Sequence, residues 1–339
     1  MKILLQAGVD LSLPGGVETH VVELARGLLA RGHEVEIGGR PAEFPPFHMV
    51  SALDPGRYDI VHHHGGGWPH GVAPGPRYVR TFHFSVAARM AAYLGIGRLR
   101  TLVNLANYAA LSEERAATRR PGAKIAVSER LKRELARHHG LEPARVQVIP
   151  NGARFTPPRE PRAALRARHG IGENAAVLLT IGRVDYVKGF DLLARAWERA
   201  QVERGGAVWV AIGGRAPDRR AGRLWTGALA PQHVADWIHA ADAGAMPSYY
   251  EGGGIALLEM LAGRLYALAH DVGTASEVVK PGQNGEIVPR SLDAWTDALR
   301  RALARAPARA TVALPDAYRW DAIVERTERV YTDLISAAR

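Results

Sequence analysis

Three short segments carry residue types that together suit a phosphorylated ligand. In Gly182-Arg183-Val184-Asp185-Tyr186-Val187-Lys188-Gly189, two cations share one connection and can converge on a phosphate chain. The same two side chains also fit ordinary surface salt bridges. In Glu251-Gly252-Gly253-Gly254-Ile255-Ala256, three successive glycines open an apolar helical stretch whose first amides favour an anion. Glu251 precedes that helix, where an acid also suits the dipole by itself. Glu259 lies inside it among Ile255, Leu258, Met260 and Leu261. A carboxylate on such a face needs a polar partner, and sugar hydroxyls would supply one. The third segment, Ser12–His20, turns through Gly15-Gly16, where the backbone can approach a ligand closely at the start of a helix. Its spacing is not Gly-x-Gly-x-x-Gly, so it is no dinucleotide fingerprint.

His62-His63-His64, with His70 nearby, raises a metal site. Adjacent strand residues point to opposite faces, so three in a row cannot all ligate one ion. No metal is expected there, and one of these imidazoles is expected to line a cleft at the strand end.

Strands and helices must alternate to position these segments. Lys2–Ala7, Glu34–Ile37, Asp59–His63, Tyr78–Phe82, Lys124–Val127 and Arg145–Ile149 read as strands. Val17, Val21, Leu24 and Leu28 recur at helical spacing, and Gly32 stops that helix. One long Arg-rich helix is expected over about 86–120 and another over 129–139. Pro150–Pro161 holds four prolines near the middle of the chain, a linker composition. Beyond it, Ala175–Ile181, Ala207–Ile212, Ala243–Met246, Leu265–Ala269 and Glu286–Val288 read as strands. Helices are expected at Phe190–Arg204, about 231–240, 254–263 and 292–305, and Tyr318–Ile335. Such alternation implies right-handed βαβ units and mostly parallel sheets. The expectation is an α/β protein of two doubly wound Rossmann-like domains, 1–155 and 156–315, facing across a cleft. Ligands in such sheets sit beyond the carboxyl ends of the strands.

Taken in order along nearly the whole chain, these segments resemble glycosyltransferase family 4, the retaining enzymes of GT-B fold. The matching parts are Gly15-Gly16-Val17-Glu18, Gly182-Arg183 with Lys188-Gly189, Pro247-Ser248 and Glu251-x7-Glu259. Val148–Gly152 resembles the family's interdomain signature. Asp271-Val272-Gly273, Glu277-Val278-Val279 and Asn284-Gly285 are similar to the region after the E-x7-E helix. Residues 316–339 resemble the closing helix that packs back on the N-terminal domain. The resemblance implies an acceptor-binding N-terminal domain and a nucleotide-diphosphate-sugar donor, UDP-sugar favoured and GDP-sugar next, held mainly by the C-terminal domain. Arg183 and Lys188 would hold the diphosphate and offset charge on the leaving group. Glu259 would take the ribose hydroxyls. Glu251 and Gly253, Gly254, Ile255 and Ala256 would contact donor sugar and phosphates, with Gly15 and Gly16 approaching from the other domain. Thr81-Phe82-His83 ends a strand as the family's N-terminal histidine does, so His83 would orient donor sugar or acceptor. A hexosyl unit would pass to a hydroxyl of a glycan, lipid-linked or small-molecule acceptor by front-face attack, with no metal and no cofactor. Gly252-Gly253-Gly254, Gly263-Arg264-Leu265-Tyr266 and Gly273-Thr274 depart from the usual pattern close to the donor sugar. The stretch Gly214–Gly227 is short for a segment lining the base.

Composition narrows the alternatives. The chain has 339 residues, 47% hydrophobic and 23% charged, ordinary values for globular domains. The absence of Cys removes disulfides, thiolate metal sites and a cysteine nucleophile, and suits a reducing compartment. No apolar run reaches the roughly 18 residues that span a bilayer, and Met1–Asp10 reads as a strand rather than a signal. A cytoplasmic protein is expected, peripheral at most on the inner face of the plasma membrane. Residues 89–137 carry eleven Lys and Arg against four Glu, which is seven of the net charge of +10. Beside Met90, Tyr93, Leu94, Leu99, Leu102 and Val103, this segment suits an interfacial helix on anionic lipid, as in similar transferases, and equally a solvated face. Nucleic acid is not expected, since only Tyr108 could stack on bases through 94–137. The competing readings are a non-catalytic anion- or membrane-binding protein and an NAD-dependent oxidoreductase. The second would need the absent glycine fingerprint.

Overall fold

The computed structural model describes all residues except 14, 52–53, 66–67, 69–72, 74, 76, 202–205, 215–217, 221, 305–309 and 338–339. The chain divides into two units, Met1–Gly152 with Asp316–Arg339, and Ala153–Pro315.

In the first unit the elements run β1 Lys2–Asp10, α1 Gly16–Ala30, β2 Glu34–Arg40, β3 His48–Val50, β4 Ile60–Gly65, β5 Tyr78–Phe82, α2 Val86–Gly95, α3 Leu105–Arg119, β6 Ala123–Ala126, α4 Glu129–His139 and β7 Val146–Val148. The second unit follows with α5 Arg162–Arg168, β8 Val177–Ile181, α6 Phe190–Gln201, β9 Val208–Ile212, β10 Asp218–Arg220, β11 Arg223–Gly227, α7 Pro231–Ala240, β12 Ala243–Met246, α8 Ile255–Ala262, β13 Tyr266–Ala269, α9 Ala275–Val278, β14 Gly285–Ile287 and α10 Leu292–Ala304. The last helix, α11 Trp320–Ala337, returns to the first unit.

The first sheet has the order β3-β2-β1-β4-β5-β6-β7 and is parallel throughout. Its strand order reverses between β1 and β4, the topological switch point. Ile3, Leu4 and Leu5 in β1 are fully buried, as strands covered on both faces must be. On one face α1 lays Val21, Leu24 and Leu28 against the sheet, and α11 adds Ile323, Val324 and Tyr331. Each such side chain contributes about 1.5–3 kcal/mol on burial, so α11 is structural rather than an appendage. Gly27 permits the close crossing, since a Cβ there would overlap Val324.

The segment 86–120 is not one helix. Gly97 takes a left-handed φ of +75° after α2, Leu99–Val103 form a 3-10 turn, and Asn104 restarts the helix by accepting from the Ala106 amide at 3.0 Å. Glu114 on α3 is buried and fixes the surroundings. Its carboxylate accepts from the amides of Val86 at 2.8 Å and Ala87 at 3.3 Å, and meets His139 Nε2 at 2.8 Å. It thereby ties α3 to the start of α2 and the end of α4.

The second sheet has the order β10-β11-β9-β8-β12-β13-β14, with only β10 antiparallel to its neighbour. The hairpin β10–β11 and the short helices α5 and α9 are additions that the hydrophobic pattern does not mark. At the amino ends of β8 and β12, Asp242 accepts from the Val177 amide and the buried Arg166 guanidinium, both at 2.7 Å. At their carboxyl ends lie the loops 182–189 and 247–254, again at the strand-order reversal.

Within the first unit, Gly152 lies against the Trp320 indole so closely that a Cβ would overlap three ring atoms. The ring is 9% exposed and packed edge-on to His20, so it has little room to yield. Gly152→Ala is expected to lower unfolding free energy by about 1–3 kcal/mol, the usual cost of overpacking. Urea unfolding of the full chain checks this, and an unchanged midpoint would contradict the packing described.

Candidate functional site

In the second unit, loop 182–189 leaves β8 through Gly182 and ends in Gly189 at φ +68°. A Cβ on Gly189 would overlap the Pro247 carbonyl, so the loop rests directly on the segment that follows β12. Asp185 accepts from the Val187 amide and starts a 3-10 turn over Tyr186–Lys188. That turn aims the Lys188 ammonium at Glu251, to which it donates at 2.6 Å. Ser248 Oγ donates to the same Glu251 oxygen at 2.8 Å. Arg183 is exposed and forms no ion pair among the described residues.

Gly254 enters α8 at φ +81°, a left-handed value, and no side chain caps the helix. Its first amides, at Ile255 and Ala256, therefore keep their donor character toward an anion. The preceding carbonyl, Gly253 O, is held by Thr274 through its Oγ1 at 2.7 Å and its amide at 3.3 Å. Gly273 makes the approach possible at φ +56°, with Glu251 and Gly253 against its Cα. Thr274 thus gives the Gly273-Thr274 departure a role in fixing the glycine run.

His270 anchors the same loop from below. Trp295 Nε1 donates to His270 Nε2 at 2.6 Å, so Nδ1 carries the proton and donates to the Ser248 carbonyl at 3.0 Å. Burial pushes this imidazole down to about 4.

Glu259, farther along α8, has a cation beside it. It faces Arg154, with Nη1 to Oε1 at 3.4 Å, and the two border a pocket with Phe155, Ile238 and His239. A cation of the chain itself is therefore the polar partner that the helix face required. Arg154, Thr274, Ser248 and His270 have no spacing signal that marks these contacts.

In the first unit, Gly15 caps α1 without a side chain, and the Glu18 carboxylate folds over it, where a Cβ would otherwise sit. The helix N-terminus thus already has an anion of its own beside Gly15 and Gly16. His83 follows β5 and is 9% exposed; its Nε2 lies 3.2 Å from His64 Nδ1. The strand alternates as its period demands. His63 meets Tyr78 on one face, while His62 and His64 face His20 and α11. His62 is fully engaged, by Tyr331 at 2.6 Å and Thr81 at 2.7 Å. His20 Nδ1 donates to Asn151 Oδ1 at 2.9 Å. The signal for His20 is helical spacing, since it lies on the buried stripe of Val17, Val21 and Leu24. Burial holds His20 at about 4, and it holds His62, His64 and His83 well below the ordinary histidine range. His70 and part of Gly214–Gly227 lie outside the described residues.

The basic segment is less uniform than its charge suggests. Arg120 pairs with Glu113 and Arg130 with Glu134. Met90 is buried, and Tyr93 and Leu94 are half-buried, so these three do not form an interfacial face. Leu99, Leu102, Val103, Leu105 and Tyr108 are exposed beside exposed Arg98 and Arg100. Among the described residues no helix is long and apolar enough to cross a membrane.

Residues 37–154 match the model of Glycosyltransferase Family 4, and residues 175–305 match that of Glycosyl transferases group 1. A D-inositol 3-phosphate glycosyltransferase of Streptomyces avermitilis is 28% identical, over 96% of this chain and 84% of its own. Sucrose-phosphate synthase from Thermosynechococcus elongatus has a similar fold, with a TM-score of 0.74 at 19% identity over 99% of this chain and all of that one. Anabaena HepE, solved with UDP and glucose, gives a TM-score of 0.72 at 16% identity over 98% of this chain and all of its own.

The His270 geometry has a pH consequence. Its folded value, about 4, lies below the ordinary 6.5, so its contribution to stability is complete above pH 6.5 and is lost as pH falls toward 4. At pH 5 the loss is about 2 kcal/mol. His270→Gln is expected to flatten the fall in urea midpoint between pH 7 and 5. Equal slopes in variant and parent would refute the assignment.

Proposed function

The chain belongs to glycosyltransferase family 4, and on that premise we propose that it is a retaining hexosyltransferase that uses a nucleotide-diphosphate-sugar. The observation that carries this reading is the Lys188–Glu251–Ser248 contact, set beside the uncapped start of α8. Lys188 and Arg183 take the diphosphate, and the amides of Gly253, Gly254, Ile255 and Ala256 add donors to it. The Lys188–Glu251 pair is partly exposed. Such pairs contribute at most about 1 kcal/mol, which a diphosphate can readily offset when it claims Lys188. Glu251, released, accepts from hydroxyls of the donor sugar. Glu259 accepts from the ribose hydroxyls in exchange for its long contact with Arg154.

In the reaction the acceptor oxygen forms a bond to the anomeric carbon on the face that the leaving group departs. The bond from that carbon to phosphate oxygen breaks, and its electron pair leaves with the nucleoside diphosphate. The acceptor's proton passes to a leaving phosphate oxygen. The cations lower the cost of charge on that group, and no hydrolase-type carboxylate pair is required. In the first unit this reading assigns Gly15 and Gly16 to the donor and His83 to orienting donor sugar or acceptor. The transfer needs no metal or cofactor.

UDP is the favoured nucleotide, in keeping with the UDP-bound HepE likeness, with GDP next. The acceptor is a hydroxyl of a glycan, lipid-linked or small molecule. The exposed Leu99, Val103 and Leu105 beside Arg98 and Arg100 favour a lipid-borne one, met at an anionic membrane surface. The inositol-phosphate name of the Streptomyces relative supports a small anionic polyol as the second reading.

At saturating UDP or UDP-sugar, mass action adds about 2.7 kcal/mol at a hundredfold excess over Kd, a melting shift on the order of 5–10 °C. Lys188→Met and Glu259→Ala are expected to abolish most of it. A shift with NAD alone, or with no nucleotide, would overturn the donor reading. Flotation with vesicles separates the acceptors. Binding to anionic but not neutral lipid, lost in Leu99→Ser/Leu105→Ser, supports the lipid-borne one, and absence of binding rejects it.

A further inference from the structure

The first unit encloses three buried imidazoles, of which the proposed transfer uses only His83. His20 comes from α1, His64 from β4 and His83 from the residue after β5. One ring nitrogen from each lies within 4.8 Å of the other two, and all three side chains are buried. The rings crowd together, with centroids 4.7 Å apart for His20 and His83, 5.3 Å for His20 and His64, and 5.5 Å for His64 and His83.

We propose that His20, His64 and His83 form a three-imidazole site for a divalent transition metal of the zinc or cobalt class. Two nitrogens that share a tetrahedral ion at roughly 2.0–2.1 Å from it stand about 3.3 Å apart. His64 Nδ1 and His83 Nε2 are separated by 3.2 Å. His20 Nδ1 donates to the Asn151 carbonyl oxygen, which leaves its Nε2 lone pair for the ion. This is the usual arrangement in which a second polar group fixes a ligand's tautomer.

The environment suits neutral ligands. All three side chains are buried, which favours the neutral imidazole, the form that ligates a metal. Each imidazole keeps its one N–H on the other nitrogen, and binding releases no net proton. His62 does not join, since Tyr331 and Thr81 hold both of its nitrogens; it forms a wall, 3.9 Å in centroid distance from His64. The buried charge of Arg80 opposes a cation, but strand alternation sets Arg80 on the other face with Tyr78, with its guanidinium over the Phe82 ring. Three protein ligands leave the fourth position to water, as in open zinc sites. The triplet His62-His63-His64 thus supplies one ligand rather than three, and distant histidines complete the set.

The test uses the full chain, stripped with chelator and titrated with Zn2+ by calorimetry and with Co2+ by visible absorption. One equivalent of each is expected to bind, with Co2+ giving the intense bands of low coordination number. His20→Gln and His64→Gln are expected to lose the bands and weaken Zn2+ at least about tenfold, and Asn151→Ala to weaken it about 10–100-fold. His63→Gln, on the opposite face, retains both. Because a buried variant can fail to fold, X-ray absorption on the zinc-loaded parent gives an independent count, expected as three imidazole nitrogens at about 2.0–2.1 Å. No saturable binding, binding unchanged in folded His20→Gln and His64→Gln, or fewer than three imidazoles would each overturn the site. These readouts stand whether or not the chain transfers a sugar.

Discussion

A run of hydrogen bonds leads from the core of the second unit to its ligand loop. Trp295, fully buried on α10, donates to His270; His270 donates to the Ser248 carbonyl; Ser248 Oγ donates to Glu251; and Glu251 receives Lys188. A parallel sheet joins its strands by crossovers, so the loops at its carboxyl ends lack the mutual support of a hairpin. Here that support comes from side chains rooted in the core. The orientation of Glu251 and Lys188 depends on a neutral His270, because an imidazolium could not accept from the indole.

Backbone carbonyls provide the remaining support, and glycines make them reachable. Gly189 lies against the Pro247 carbonyl, while Gly273 lets Thr274 reach the carbonyl of Gly253. Loops 182–189 and 247–254 are therefore locked to each other before any ligand arrives. Preorganised donors of this kind lose little freedom on binding, so more of the interaction appears as affinity.

Much of the architecture was legible in the residues. The alternation of buried runs with helical stripes identified two doubly wound units, and the βα turns marked the candidate loops. What escaped was of two kinds. The break of 86–120 depends on Gly97 and Asn104, single residues inside a segment whose composition favours helix. The partners of Glu259 and His64 depend on contacts between residues far apart in sequence, Arg154 across 105 positions and His20 from a separate helix. Spacing reports what lies on one element; it does not report which elements meet. The alternation argument for His62-His63-His64 was correct for the triplet, yet it left out side chains supplied by neighbouring elements.

The position of α11 has a consequence for synthesis. Its Ile323, Val324 and Tyr331 complete the core of the first unit, but residues 153–315 are translated before them. On the ribosome the first unit emerges with the outer flank of α1 uncovered, and it stays so while the whole second unit is made. At roughly 5–20 residues per second this exposure lasts on the order of ten to thirty seconds. Nascent-chain folding is thus inverted relative to chain order, since the second unit can close first and the amino-terminal one last.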